Sequence, residues 1–210
     1  MSAAHLERLG SATLAESGAV PLPSAAVRAM WPGAACAGPA RTVRCAPGDN
    51  LAIHAALPGA AAGEVLVVEV EGVPERGYWG EVLTTAAQQR GVIGLIIDAC
   101  VRDTAALAAR GLPVFATGTA LPGATKTGPG AVGGVVTLAG VRVEPGDTVV
   151  ADGDGVVVIR AAELPTVLAA GAAREAKEAE MFERLATGAT TVDLLGLDDL
   201  SSIVGGQGER

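Results

Sequence analysis

The run VIGLIID at 92–98 constrains this chain more than any other stretch. It is apolar on both faces, the pattern of a parallel strand covered on each side rather than of a strand with one wet face. Upstream, Val82, Leu83, Ala86 and Ala87 share one helical face, and the helix ends at Arg90-Gly91, a last-turn cation followed by a glycine that can close it. Downstream, Asp103 to Arg110 reads as a second helix stopped by Gly111, and LPVFATG at 112–118 reads as the next strand. EVLVVEV at 64–70, β-branched and bounded by glycines, supplies the strand before them. Strand, helix, strand, helix, strand in this order predicts an α/β unit with right-handed crossovers.

The flanks are more broken. Two helical pieces are expected at the start, Ser2 to Leu9 and Thr13 to Glu16, before the Pro21-Leu22-Pro23 break. GPARTVRC at 38–45 alternates as a half-buried strand should; PGDN at 47–50 is a turn, with a short helix starting near Asn50. PGATKTGPGAVGG, 122–134, is too glycine-rich for a helix and reads as a loop. The stretch VVTLAGVRVEPGDTVVADGDGVVVIR is punctuated by AG, PGD and DGDG, so hairpins are expected at each. DGDG sits between strands with no helix after it, so it is a turn and not a phosphate loop. A polar helix over roughly Leu164 to Leu185 has charges on several faces, as a solvated or subunit-contacting helix would. The tail from about 201 is expected to fray. The length suits one domain, 1–210.

Composition removes several function classes. With 15 Lys+Arg against 23 Asp+Glu the formal net charge is −8, and no basic patch is visible, which argues against a nucleic-acid partner. No apolar run approaches membrane-spanning length, and MSAAHLERLG does not resemble a signal peptide, so a cytoplasmic protein is expected. Cys36, Cys45 and Cys100 are widely spaced, which speaks for buried reduced thiols rather than zinc or a disulfide framework. A core rich in Ala and Val, with only 2 Trp, 1 Tyr and 2 Phe, buries modest area per residue and would be helped by association.

The segment GEVLTTAAQQRGVIGLIIDACVRD, from Gly80 to Asp103, carries the chemistry. The first amides of a helix are unpaired and sit at the positive end of its dipole, so the backbone of Gly80, Glu81, Val82 and Leu83 forms a cradle for a carboxylate or phosphate. Arg102 follows a parallel strand, where ligands of open α/β sheets collect, and its planar fork suits a carboxylate. Asp103 is a hard oxygen ligand suited to Mg²⁺ or Mn²⁺, and Asp98 could support it from the strand's end. Plainer roles exist: Asp103 as N-cap of its own helix, Arg102 as partner of Asp98 or Glu81, and Glu81 as a favourable first-turn acid. His54, isolated in LAIHAAL, reads as a core residue, and His5 lies near a terminus.

The same segment resembles the signature of the RraA-like family, which includes the 4-hydroxy-4-methyl-2-oxoglutarate / 4-carboxy-4-hydroxy-2-oxoadipate aldolases. The resemblance extends through GPARTVRCAPGDNL (38–51), PVFATGTALPGATKTGPGAVGG (113–134), VRVEPGDTVVADGDGVVVI (141–159) and AREAKEAEMFERL (173–185). It implies an α/β fold of the swivelling β/β/α type with a mixed sheet or barrel core, assembled as homotrimers or dimers of trimers with sites between subunits. It further implies that Gly80, Glu81, Val82, Leu83 and Arg102 bind the carboxyl end of pyruvate and that Asp103 binds the divalent metal. Glu81 stands where the aldolases carry aspartate, and Ala99 where relatives often have glycine. Glu178 is the candidate for a glutamate supplied by a neighbouring subunit.

The reaction this implies is cleavage of a 4-hydroxy-2-oxo acid to pyruvate, with decarboxylation of oxaloacetate beside it. Such cleavage needs an electron sink, either a lysine Schiff base or a divalent ion on the oxo group. The only lysines are Lys126, in a glycine-rich loop, and Lys177, on a charged helix; neither reads as a desolvated amine, which leaves the metal. The founding family member inhibits a ribonuclease, so a non-catalytic regulator is the alternative, and the scaffold could also serve another enolate-forming reaction.

Overall fold

The computed structural model describes residues 3–23 and 26–197. The chain forms two compact units, Met1–Gly171 and Ala172–Arg210. In the first unit, α1 (Ala3–Ala15) is broken at Gly10, whose φ of 75° only glycine adopts readily, giving the two expected helical pieces. There follow β1 (Val20–Pro21), β2 (Arg28–Ala29), β3 (Cys36–Cys45), α2 (Leu51–Ala56), β4 (Val65–Val70), α3 (Glu81–Gln89), β5 (Gly94–Ile97), β6 (Cys100–Val101), α4 (Thr104–Arg110), β7 (Val114–Ala116) and β8 (Gly118–Thr119). Then come β9 (Gly130–Val132), β10 (Val136–Leu138), β11 (Val141–Val143), β12 (Thr148–Ala151), β13 (Val156–Ile159) and the start of α5 (Leu164–Ala186).

The main sheet runs β1-β13-β12-β3-β4-β5-β7-β2, with β9 also paired to β3. β3 joins its two halves. Cys36 to Pro39 pair antiparallel with β12, whereas Ala40 to Cys45 pair parallel with β4, which leads into parallel β5 and β7. The fold is therefore mixed α/β, and the apolar run at 92–98 is its parallel centre, buried throughout β5. One face carries Leu83, Ala87 and Leu107 of α3 and α4 against Leu66, Leu95 and Ile97. The other packs Val67, Ile96 and Phe115 against the β10–β11 hairpin. A third cluster joins Leu9 and Leu14 of α1 to Val157, Ile159 and Leu168.

Of the three expected hairpins, AG and DGDG form, with Ala139 at φ 47° and Gly140 at φ 86° in the first. PGD does not, because β11 pairs only with β10 while β12 pairs with β3 and β13. The stretch at 122–134 is not all loop, since β9 adds to the edge of β3. Both departures come from pairing between segments distant in sequence, which local turn chemistry does not encode.

The second unit holds the rest of α5 and α6 (Thr191–Leu195), opened by a capping box between Thr190 and Asp193. None of its described residues is buried. The expected fraying from about 201 lies outside the described residues. No helix among the described residues is long and apolar enough to cross a membrane.

Candidate functional site

Three backbone segments lie side by side at the C-terminal end of the parallel strands. Gly77 N–H donates to Pro122 O (2.8 Å), Tyr78 N–H to Cys100 O (3.1 Å), Arg102 N–H to Trp79 O (2.9 Å) and Ala120 N–H to Val101 O (3.0 Å). Two buried aromatics fix the first segment. Tyr78 donates its hydroxyl to Val73 O (2.6 Å) and accepts from Gly48 N–H (2.8 Å), and Trp79 Nε1 donates to Thr84 Oγ1 (2.7 Å) on α3. The start of α3 is thereby set beside Arg102 and Asp103.

Arg102 crosses three glycines. A Cβ on Gly77 would lie 2.9 Å from its Cδ, one on Gly80 3.2 Å from its Cγ, and one on Gly123 3.1 Å from its Nη1. A Cβ on Gly80 would also collide with Asp103 Oδ2. These glycines give the Arg102–Asp103 pair room against backbone. Asp103 itself is left-handed, φ 60° and ψ 34°, a conformation that costs a non-glycine residue free energy and concentrates at functional positions.

Asp103 does not cap its own helix α4 through its side chain. Its Oδ2 accepts instead from Glu81 N–H (3.1 Å), the first residue of α3, and lies 3.8 Å from Arg102 Nε. Arg102 therefore pairs with neither Asp98 nor Glu81. The Glu81 carboxylate turns away to Arg110 in the last turn of α4, with Oε1 accepting from Nη2 (2.9 Å) and Nε (3.0 Å). Asp98 binds Val70 N–H (2.7 Å) between the ends of β4 and β5, and burial pushes its carboxyl up to about 6. It lines neither of the cavities below. Glu178, in the second unit, is ion-paired one turn back to Arg174 (2.8 Å). Cys36 and Cys45 are buried thiols pushed up to about 12 by burial, as expected, whereas Cys100 is only half-buried.

Two cavities share Arg102 and Asp103. One of about 410 Å³ is lined also by Val101, Thr104, Thr119, Ala120 and Leu121. The other, about 170 Å³, is lined by Gly80, Val82 and Leu83 of the expected cradle, by Gly77, Tyr78 and Trp79, and by Asn50, His54 and Lys126. The last three were not assigned to the site from sequence. His54 is half-buried rather than part of the core, and burial, reinforced by the nearby Lys126 charge, lowers its pKa. Asp49 holds this part together. Its Oδ2 accepts from Thr125 Oγ1 (2.7 Å), Thr127 N–H (2.6 Å) and Gly128 N–H (2.9 Å), while Oδ1 accepts from Leu51 N–H (2.8 Å). Burial opposes the Asp49 charge, but these four donors outweigh it and hold the carboxyl far below the usual range.

Comparison with known proteins places the chain in a family. The RraA-like profile, described as Aldolase/RraA, matches residues 13–158. The chain belongs to the RraA-like family. A relative from Halalkalibacterium halodurans named "Putative 4-hydroxy-4-methyl-2-oxoglutarate aldolase" is 38% identical over 131 residues, 62% of each chain; the match thus spans under two thirds of that relative. Among solved structures, an uncharacterized protein from Pseudomonas syringae pv. tomato superposes with a TM-score of 0.79 at 26% identity, covering 91% of this chain and 94% of the other. Streptomyces coelicolor RraAS2, described as an unusual member of the RNase ES inhibitor RraA protein family, gives 0.73 at 30% identity over 87% and 96%. The RraA-like family thus has both an aldolase name and a ribonuclease-inhibitor name among these neighbours.

The donor set around Asp103 fits a hard divalent ion. Among the described residues no cluster of three or more His, Cys, Asp or Glu side chains is arranged for a metal, so an ion there would take one carboxylate and otherwise water or substrate oxygen. Mg²⁺ and Mn²⁺ tolerate that set; a structural zinc site does not.

Proposed function

We propose that this RraA-like chain, read as one domain over 1–210, is a divalent-metal-dependent lyase. It would cleave 4-hydroxy-4-methyl-2-oxoglutarate-type 2-oxo acids to release pyruvate and would also decarboxylate oxaloacetate. The observation that carries the reading is the Arg102–Asp103 pair, held over Gly80 at the junction of two cavities beside the start of α3. In this reading Asp103 holds Mg²⁺ or Mn²⁺, and the ion supplies Lewis-acid polarisation of the substrate's oxo group. Arg102 holds the substrate carboxylate and oxo oxygen with its fork. The amides of Val82 and Leu83 complete the anion cradle, the Glu81 amide being already engaged by Asp103.

In this reading the chain works as an assembly of copies, and its bare apolar side chains support that. Val82 (79% exposed) and Leu121 (91%) line the two cavities, and Phe182 (65%) is bare on α5, so each chain leaves apolar surface that a homotrimer or dimer of trimers would cover. Glu178 of a neighbouring subunit would then join the site.

One observation favours the alternative, a regulator that binds a ribonuclease without catalysis: the Glu81 carboxylate is committed to Arg110. The deciding experiment is pyruvate release from oxaloacetate and from 4-hydroxy-4-methyl-2-oxoglutarate, with and without Mg²⁺, in the native chain and in Asp103→Ala. The lyase reading expects Mg²⁺-dependent release abolished by the substitution. Metal-independent release, or full activity in Asp103→Ala, overturns it; no release together with tight binding of a ribonuclease establishes the regulator.

A further inference from the structure

The first turn of α3 lacks the device that usually holds such a turn together. Its N-cap is Gly80, which has no side chain to accept from the amides of Val82 and Leu83; a serine or aspartate there would tie them down. Such a residue does not fit, because a Cβ on Gly80 would collide with Asp103 Oδ2. An uncapped start frays, and fraying would move the amides of residues that line the smaller cavity. That cavity is built to receive a ligand. Asn50, 5% exposed, lines it, and its Oδ1 is the single buried side-chain polar atom among the described residues without a partner.

Trp79 and Thr84 do the holding instead. Both are fully buried, and the indole Nε1 donates to Thr84 Oγ1 at 2.7 Å. The bond closes a ring over residues 79 to 84, so it braces the turn from the core side and leaves the cradle amides of Val82 and Leu83 open. The backbone supplies the other connection: Trp79 O accepts from Arg102 N–H at 2.9 Å. Asn50 Nδ2 donates to Tyr78 O at 2.7 Å, which fixes the peptide leading into Trp79. One residue is thus bonded to the arginine side of the crevice by its backbone and to the helix side by its indole. A phenylalanine would fill much of the same core space without making the second bond.

We infer that Trp79 and Thr84 are positioning residues for carboxylate binding: their side-chain bond fixes the spacing between the amides of Val82 and Leu83 and the Arg102 segment. This rests on the lyase reading, in which both groups hold the carboxylate end of the substrate. Because that end is held alike before and during cleavage, loosening the brace weakens affinity and leaves the chemical step nearly untouched.

Two substitutions at Thr84 separate this role from packing. Thr84→Val keeps the shape and removes the acceptor; Thr84→Ser keeps the acceptor and removes a buried methyl. Both should lower Tm by a similar amount, about 2–6 °C, one by stranding the indole N–H and the other by leaving a void. Only Thr84→Val should raise the KM for oxaloacetate and the calorimetric Kd for pyruvate in Mg²⁺. The rise should be about tenfold, as the loss of one hydrogen bond to a charged group gives, with kcat within about threefold of native. Trp79→Phe removes the donor and should raise KM to the same extent, which keeps the test open if Thr84→Val does not fold. An unchanged KM in these variants, or an equal rise in Thr84→Ser, overturns the positioning role while the lyase reading stands. A fall in kcat at native KM overturns it as well. If the native chain neither releases nor binds pyruvate, the lyase reading fails and this role with it.

Discussion

Asp49 and Asp103 sit in two turns of the same unit and do opposite things. Asp49, in PGDN, is 3% exposed and fully engaged by one hydroxyl and three backbone amides. Asp103, in CVRD, is exposed, accepts one amide, and sits in a left-handed conformation beside Gly80 and Arg102. A carboxylate saturated by donors builds structure, because removing it strands every one of them. A carboxylate with spare lone pairs and a strained backbone is available for a ligand. The lesson is that hydrogen-bond saturation, more than residue type or motif membership, separates the acid that holds the site from the acid that would do its chemistry.

The sharpest break of this contrast is Asp49→Ala. Stranding the Leu51, Thr127 and Gly128 amides should cost about 3 kcal/mol, roughly 6–12 °C in Tm for a chain of this size, measured by thermal melts. Because the folded-state pKa of Asp49 lies below its unfolded value, its contribution is present above the unfolded value and is lost as pH falls through about 4 and below. The gap between native and Asp49→Ala should therefore shrink in melts at pH 3. Asp103→Ala is expected to do the reverse: stability within about 1 kcal/mol of native, and Mg²⁺-dependent pyruvate release down by about a hundredfold or more. A stability loss matching that of Asp49→Ala would erase the distinction.

Asp98 is intermediate, being partly buried and bonded to Val70 N–H, with its carboxyl pushed by burial up to about 6. A raised carboxyl pKa means that the folded chain holds the proton more tightly than the unfolded one. Stability from this group therefore falls as pH rises from about 4 to 6 and is flat above that. Asp98→Asn keeps an acceptor for Val70 and removes the charge. It should be more stable than native at pH 7.5 by about 2 kcal/mol at most and indistinguishable from it near pH 4.

Much of the frame was legible because it is local or periodic. The 92–98 run announced a strand covered on both faces, and the Gly91 and Gly111 stops bounded α3 and α4 correctly. The start of α3 was legible because helix termini carry chemical signatures, and Arg102 and Asp103 lie beside it. What stayed hidden depends on contacts between distant segments. Nothing near Asn50 or His54 announces that Lys126 will arrive beside them, since Asp49 gathers them by bonds across 76 to 79 positions. The partner of Glu81 was missed for a similar reason: Arg110 is 29 residues away and reads only as a last-turn cation of α4.

The smallest expected effect concerns Glu81, the residue that joins the structural and chemical halves of the contrast. Its backbone amide serves Asp103 while its carboxylate serves Arg110. The pair is partly exposed, so Arg110→Ala should cost less than about 1 kcal/mol. Its consequence for chemistry separates two possibilities. If the Glu81 carboxylate matters only as an anchor for α4, releasing it leaves pyruvate release unchanged. If the pairing restrains an acid that the site can use, Arg110→Ala frees it toward Asp103, and Glu81→Asp, too short to reach Arg110 in the present geometry, frees it as well. The expected outcome is a rise of about two- to fivefold in Mg²⁺-dependent pyruvate release for both variants, with Arg110→Ala/Glu81→Gln falling back to native or below. Parallel rises in the two single variants and their loss in the double one cannot come from a change in helix packing alone, because the double variant breaks the same ion pair.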